Sequence, residues 1–266
     1  MKLKSQHWVN EIKGRGVLQP KIITFTNRPP MDTPAPTVRT ARTTRTAATE
    51  RLERIPEFAG VTFDKSVVDV EGLPFVTGPE IAFAGRSNAG KSSSINKFAG
   101  QTRLAYASKM PGRTRELNFF PLRNGGHLVD LPGYGFARTP KDKQRVWTGV
   151  IEHYFREREA LRGIVLVLDV RHAPTPLDLQ FVEWLDGLGR GRPPMMWLLN
   201  KADKLTQSER MKIRNAFRAG EAKPLIAERD EIILFSAHTG LGMKECATTF
   251  NLWLNKEPLP EEISLT

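Results

Sequence analysis

The eight residues Gly85-Arg86-Ser87-Asn88-Ala89-Gly90-Lys91-Ser92 constrain this chain more than anything else in it. They match GxxxxGK(S/T), follow the apolar run Ile81–Ala84 and precede a stretch that reads as a helix. That strand–loop–helix setting is the one a phosphate-cradling loop requires. Its two glycines let backbone N–H groups turn inward on phosphate oxygens, and the helix N-terminus adds its positive dipole end. Lys91 is placed to reach the outer phosphates, and Ser92 offers a hydroxyl to Mg²⁺.

Around that loop, from Phe58 onward, short apolar runs alternate with amphipathic segments, which predicts an α/β fold with a largely parallel sheet. Strands are expected at 80–84, 116–122, 127–130, 163–169, 195–200 and 231–235. Helices are expected at 91–98, 141–160, 177–187, 208–220 and 242–254, with Gly220 as a C-terminal stop. One domain over residues 58–256 accommodates all of these, leaving 257–266 as a tail. No window approaches 18 consecutive apolar residues and no apolar h-region follows a charged N-terminus, so the expectation is a soluble intracellular protein. Cys246 is the only cysteine. It falls on one helical face with Met243, Phe250 and Trp253 and reads as a buried, inert thiol.

The net charge of +11 is unevenly placed. Residues 1–50 carry nine basic and three acidic side chains, 51–100 six of each, 101–150 nine and three, and 151–266 sixteen and seventeen. Two stretches therefore hold all the excess, which suggests local contacts with polyanions. The first of them has five prolines between Pro20 and Pro36 and then an Arg/Thr/Ala run over 38–49. Residues 1–57 bury too little to offset their ordering entropy and read as a disordered basic arm. A transit peptide, a helix formed on binding, and translation starting at Met31 are open alternatives for this arm.

Further motifs follow in order. His127-Leu-Val-Asp130-Leu131-Pro132-Gly133 puts a carboxylate at the end of a second apolar strand, where it can hold Mg²⁺ through a water. Gly133 supplies a backbone N–H for a γ-phosphate. Asn200-Lys201-Ala202-Asp203 ends another strand. An Asp there can accept two hydrogen bonds from the guanine N1–H and exocyclic amine, a donor pattern adenine lacks. Phe235-Ser236-Ala237 matches the last such element, with a backbone N–H for the guanine O6. Thr114, in Ser108-Lys-Met-Pro-Gly-Arg-Thr114, is placed to ligate Mg²⁺ when a γ-phosphate is present.

Taken in that order, GRSNAGKSS, PGRT, DLPGYGFA, NKAD and FSA resemble the EngB family of ribosome-biogenesis GTPases over about residues 60–255. The resemblance implies a Ras-like P-loop domain with a mostly parallel six-stranded sheet. It implies GTP and GDP binding with slow hydrolysis, late assembly of the large ribosomal subunit through rRNA, and normal cell division and septation. Carried over by position, nucleotide contacts fall on Gly85–Ser92, on Gly112, Arg113, Thr114, Arg115 and Glu116, and on Asp130–Gly133, Asn200–Asp203 and Phe235–Ala237. Lys91 and Thr114 would act in catalysis, with Mg²⁺ on Ser92 and Thr114. Met110 stands where the family usually has Thr, and Asn200 where it often has Thr.

Tyr134 follows Gly133 where Ras-type enzymes place a water-orienting Gln, and it has no amide to position water, so intrinsic hydrolysis is expected to be slow. Asn88 resembles the K⁺-coordinating Asn of related GTPases. Arg103, Lys109, Arg113, Arg115, Arg138, Lys141, Lys143 and Arg145 flank the segments that would respond to a γ-phosphate. The expected form is a cytoplasmic monomer. A competing reading is a regulatory GTPase whose GTP state binds a protein effector in cell division, with RNA contacts incidental.

Overall fold

The computed structural model describes residues 55–105, 116–123, 125–134, 141–189, 191–220 and 222–255, with side chains in the first helical turns after 140 described only from Gly149. Gly112, Arg113, Thr114 and Arg115, residues 1–54 and residues 256–266 lie outside the described residues, as do Lys109 and Arg138, and the side chains of Lys141, Lys143 and Arg145 are not described.

The elements are β1 (Lys65–Val67), β2 (Glu80–Gly85), α1 (Lys91–Phe98), β3 (Leu117–Pro121), β4 (His127–Asp130), α2 (Lys141–Glu157), β5 (Leu161–Asp169), α3 (Pro176–Asp186), β6 (Met195–Asn200), α4 (Gln207–Ala219), β7 (Glu231–Leu234) and α5 (Met243–Leu254). They form one seven-stranded sheet in the order β1-β3-β4-β2-β5-β6-β7. The β1–β3 and β3–β4 pairs are antiparallel and the other four parallel. The expected six-stranded count is thus corrected to seven. The added strand is Lys-Ser-Val, with one buried residue, too short to show periodicity.

The parallel strands read as continuous apolar runs because both faces are covered. Every residue of β2 and β6 is buried. On one face Phe83, Phe98, Phe235 and Phe250 pack with Cys246 and Trp253, and Ile55 and Phe58 close the same cluster. Cys246 is fully buried, and burial pushes its thiol well above the ordinary value. That is the inert, protonated state expected of a core cysteine. Gly163 is needed on this face, since a Cβ there would come within 2.2 Å of the Trp253 ring. The other face gathers Phe119, Tyr154, Trp197 and Phe217.

At the amino ends of the strands a buried charge sits far from the loops that carry the motifs. Glu80 accepts from Arg158 Nη2 at 2.6 Å and from the Tyr154 hydroxyl at 3.1 Å, with His127 Nδ1 at 3.3 Å. Burial alone would raise this carboxyl. Bonds from His127 and Arg158 outweigh burial and hold it below its ordinary value. His127 is therefore occupied structurally.

At the opposite ends, register sets the motifs side by side. Asp169 pairs with Asn200, Gly85 with Val167 and Phe83 with Asp130. The carboxyl ends of β2, β4, β5 and β6 thus converge on one edge of the sheet, where open α/β sheets place their ligands.

Candidate nucleotide-binding site

The loop from Gly85 to Gly90 owes its path to two close approaches. A Cβ on Gly85 would lie 2.5 Å from the Val167 carbonyl oxygen, and one on Gly90, at φ 99°, would lie 2.2 Å from Asn200 Nδ2. Gly90 caps α1, whose first intrahelical acceptor is its own carbonyl, taken by Ser94 N–H at 2.9 Å. The N–H groups of Lys91, Ser92 and Ser93 at the start of that helix have no earlier turn to pair with. An anion is the complement of such an end. Asn88 adopts the left-handed region at φ 65°, uncommon for a residue with a Cβ.

Lys91 and Asp130 meet at the phosphate end. Lys91 Nζ donates to Asp130 Oδ1, and both side chains are nearly buried. Burial raises the Asp130 carboxyl above its ordinary value, and the Lys91 charge only partly offsets this. Gly133 follows closely: a Cβ there would meet Ser87 N at 3.2 Å, so the Asp130–Gly133 turn lies against the phosphate loop. Leu131 N–H donates to Phe83 O at 2.9 Å and fixes its start. For a divalent ion the described donors are Ser92 and Asp130, hard oxygens that suit Mg²⁺. Among the described residues no cluster of three or more His, Cys, Asp or Glu could hold a metal alone. The buried Asp130 carboxylate, matched only by a lysine that a phosphate would attract, fits a cation at this position.

The second half of the site is stitched to the first through Asn200 and Lys201. Asn200 Nδ2 donates to Ala89 O at 3.0 Å, and its Oδ1 accepts from Ala237 N–H at 3.3 Å. Lys201, in the left-handed region at φ 66°, donates from Nζ to Asn88 O at 2.7 Å and to Asp169 Oδ2 at 2.9 Å. Asp203 Oδ1 accepts from Ser236 Oγ at 2.7 Å, and Ser236 Oγ accepts from Thr239 N–H at 3.1 Å. The Ser236 hydroxyl, ahead of Lys204, holds the Asp203 carboxyl below its ordinary value. Ala202 N–H donates to Phe235 O at 3.0 Å, while the Phe235 ring packs on Phe98 in the core.

Most motif residues chosen from sequence thus come together. Glu116 stands apart at the start of β3, with no hydrogen bond or ion pair to the others among the described residues.

Sequence reasoning passed over Asp169. It accepts from Arg171 Nη2 at 2.6 Å as well as from Lys201. Burial would raise its carboxyl, but the Arg171 and Lys201 bonds hold it well below the usual carboxylate range. Its place at the end of an apolar strand was the available signal. A cavity of about 250 Å³ opens between the phosphate loop and the β5–α3 connection, lined by Arg86, Asn88, Asp169, Arg171, His172 and Asp178 among others.

The model of the family described as 50S ribosome-binding GTPase matches residues 80–201, from β2 through β6. A probable GTP-binding protein EngB from Aromatoleum aromaticum is 46% identical over 200 residues, which are 75% of this chain and 90% of that protein. This chain belongs to the EngB family of GTP-binding proteins. The EngB protein of an Azoarcus species is also 46% identical over 200 residues, covering 75% of this chain and 94% of its own. A crystal structure of a probable GTP-binding protein EngB superposes with a TM-score of 0.53 at 26% identity, over 67% of this chain and all of that one. The EngB relationship carries the Ras-like P-loop fold and GTP binding by a GTPase family to this chain. No helix among the described residues is long and apolar enough to cross a membrane.

Proposed function

We propose that this protein is a GTP-dependent assembly factor for the large ribosomal subunit, hydrolysing GTP slowly and acting in the cytoplasm in support of cell division and septation. The observation that carries the reading is the joining of two half-sites by Asn200 and Lys201, one fitted to phosphates and one to guanine. The family model described as 50S ribosome-binding GTPase supports the partner.

In this reading the Asp203 carboxylate accepts the guanine N1–H and amine on its side away from Ser236, and Ala237 N–H meets the O6. Adenine offers no matching donors, and an unpaired carboxylate in that place is costly. Lys91 leaves Asp130 for the β- and γ-phosphate oxygens, while the N–H groups at the start of α1 take the remaining charge. Ser92 and Thr114 would then hold Mg²⁺, with the freed Asp130 reaching it through a water, and the ion would supply charge neutralisation for the phosphates. Asn88 is the residue that would hold a K⁺ ion. Gly112–Glu116 and the Asp130–Gly133 turn complete the nucleotide contacts, with Gly133 N–H on the γ-phosphate. Water attacks the γ-phosphorus, the bond to the β–γ bridging oxygen breaks, and GDP and inorganic phosphate result. Tyr134 has no amide to orient that water, which makes hydrolysis slow.

Residues 55–256 form the GTPase domain in this proposal, three residues more than the sequence suggested, because Ile55 is buried in its core. The basic arm that precedes them and the basic residues of the switch segments meet rRNA, with 257–266 a tail, and the protein works as a monomer. Pull-downs with protein locked in the GTP or the GDP state, with and without nuclease, test it. Large-subunit particles should associate preferentially with the GTP state and be lost on nuclease treatment. Retention of a protein effector after nuclease treatment, with no ribosomal component, would replace this reading with a regulatory GTPase.

A further inference from the structure

Tyr134 is the residue next to the glycine assigned to the γ-phosphate, and its side chain is fully engaged elsewhere. Its hydroxyl donates to Asp178 Oδ1 at 2.6 Å, and its ring stacks on Phe181 with centroids 4.9 Å apart and planes inclined by 16°. Both partners belong to α3. The backbone of Tyr134 also pairs with that of Arg86 in a parallel bridge, so the same residue touches the phosphate loop.

Asp178 is built to serve two tasks. Its Oδ2 accepts from Thr175 N–H at 2.8 Å and Thr175 Oγ1 at 2.7 Å, completing the capping box that starts α3. That leaves Oδ1 for Tyr134. The carboxylate is 2% exposed, so its oxygens have little water to fall back on. Burial, and after it the Asp178 charge, pushes the Tyr134 phenol far above its ordinary value, so the hydroxyl remains a donor throughout the physiological range.

We infer that Tyr134 and Asp178 form a latch that fixes the Gly133 peptide against the phosphate loop, making Tyr134 a positioning residue for the γ-phosphate contact. Gly133 is held from before by the Leu131–Phe83 backbone bond and from after by Tyr134. Its N–H is thereby set before nucleotide arrives, and the ordering cost is not charged against binding. Only GTP carries the phosphate that uses this N–H, so the latch should favour GTP over GDP. The inference rests on the guanine-nucleotide reading above.

The test is the ratio of affinities for GDP and a non-hydrolysable GTP analogue, measured on the full chain. Tyr134→Phe keeps the ring on Phe181 and removes the hydroxyl. It should weaken the GTP analogue about fivefold, the worth of one hydrogen bond, and leave GDP within about twofold. Leu185→Ala empties a buried position of α3 seven residues beyond Asp178, leaving the carboxylate and its bonds in place. It should lower Tm and leave the ratio unchanged. An unchanged ratio in Tyr134→Phe overturns the latch, as does an equal shift in Leu185→Ala, which would mean that α3 stability alone matters. A wild-type protein that binds no GDP would remove the nucleotide reading itself, a result distinct from either.

Discussion

On the guanine side of the site, Asp203 already accepts the Ser236 hydroxyl, Asn200 already ties Ala89 to Ala237, and Lys201 is seated between Asn88 and Asp169. On the phosphate side, the principal cation is bonded to a carboxylate of the same chain, Lys91 to Asp130. One half consists of bonds that can persist when ligand arrives; the other has a bond that ligand must replace. The reason is chemical. A guanine edge presents neutral donors, so a carboxylate can wait for it with Oδ1 on the Ser236 hydroxyl and Oδ2 beside the exposed Lys204 ammonium, which water can replace. A triphosphate presents multiple negative charges, so its counter-charge needs an internal partner before ligand arrives, because an unpaired buried ammonium is expensive.

The largest effect should come from breaking the exchangeable half. Lys91→Ala leaves the buried Asp130 carboxylate without its partner, a loss of about 3 kcal/mol in stability by analogy with other buried pairs. It also removes charge-assisted bonds worth roughly 1.5–3 kcal/mol each, so GTP affinity should fall at least about a hundredfold. Calorimetric titration separates the halves: guanosine, which has no phosphates, should bind wild type and variant alike. Adding Asp130→Asn should recover the stability and leave GTP binding lost. Guanosine weakened in parallel with GTP would mean that the two halves are a single cooperative unit.

The same division explains what could be read from sequence. The parallel strands could be placed because each is a continuous apolar run, all but β5 leading into a named motif, and 127–130 and 195–200 match the structure at both ends. Lys65–Val67 could not, since a three-residue edge strand pairing with residues fifty or more positions away leaves no local pattern. Gly85–Ser92 and Asn200–Asp203 were readable because their chemistry is local. The Tyr134–Asp178 bond was not: it joins residues 44 apart, and Asp178 alone looks like an ordinary acidic residue in a first helical turn. Asp169 lies between these cases, with its strand visible and its pairing to Lys201 set by the register of β5 on β6.

Acid should separate the halves without mutation. Asp130 is raised above the ordinary aspartate value of 3.8, first by burial, whereas Asp203 is lowered below it, first by Ser236. For Asp203 the stabilising contribution is complete above 3.8 and is lost as pH falls toward its depressed folded value. For Asp130 the sign is reversed: the fold binds the proton more readily than the unfolded chain, so the cost of its charge is relieved as pH falls through the raised value. Carboxyl carbon shifts in nucleotide-free protein should therefore show Asp130 titrating at higher pH than Asp203. The opposite order would contradict the contrast between an exchangeable and a persistent half.

Ser236→Ala should give the smallest effect, and it probes the persistent half alone. The hydroxyl is buried, donates to Asp203 and accepts from Thr239 N–H, so its loss leaves Asp203 free to turn toward Lys204. One such bond contributes about 1 kcal/mol, which predicts nucleotide affinity reduced about fivefold. Because GTP and GDP share the guanine edge, both should weaken by the same factor, measured by competition against a fluorescent nucleotide. Inosine nucleotides, which lack the exocyclic amine, make one bond fewer to Asp203 and should weaken less. A loss confined to GTP would place Ser236 in communication with the phosphates, a route that the bonds through Asn200 to Ala89 would then have to carry.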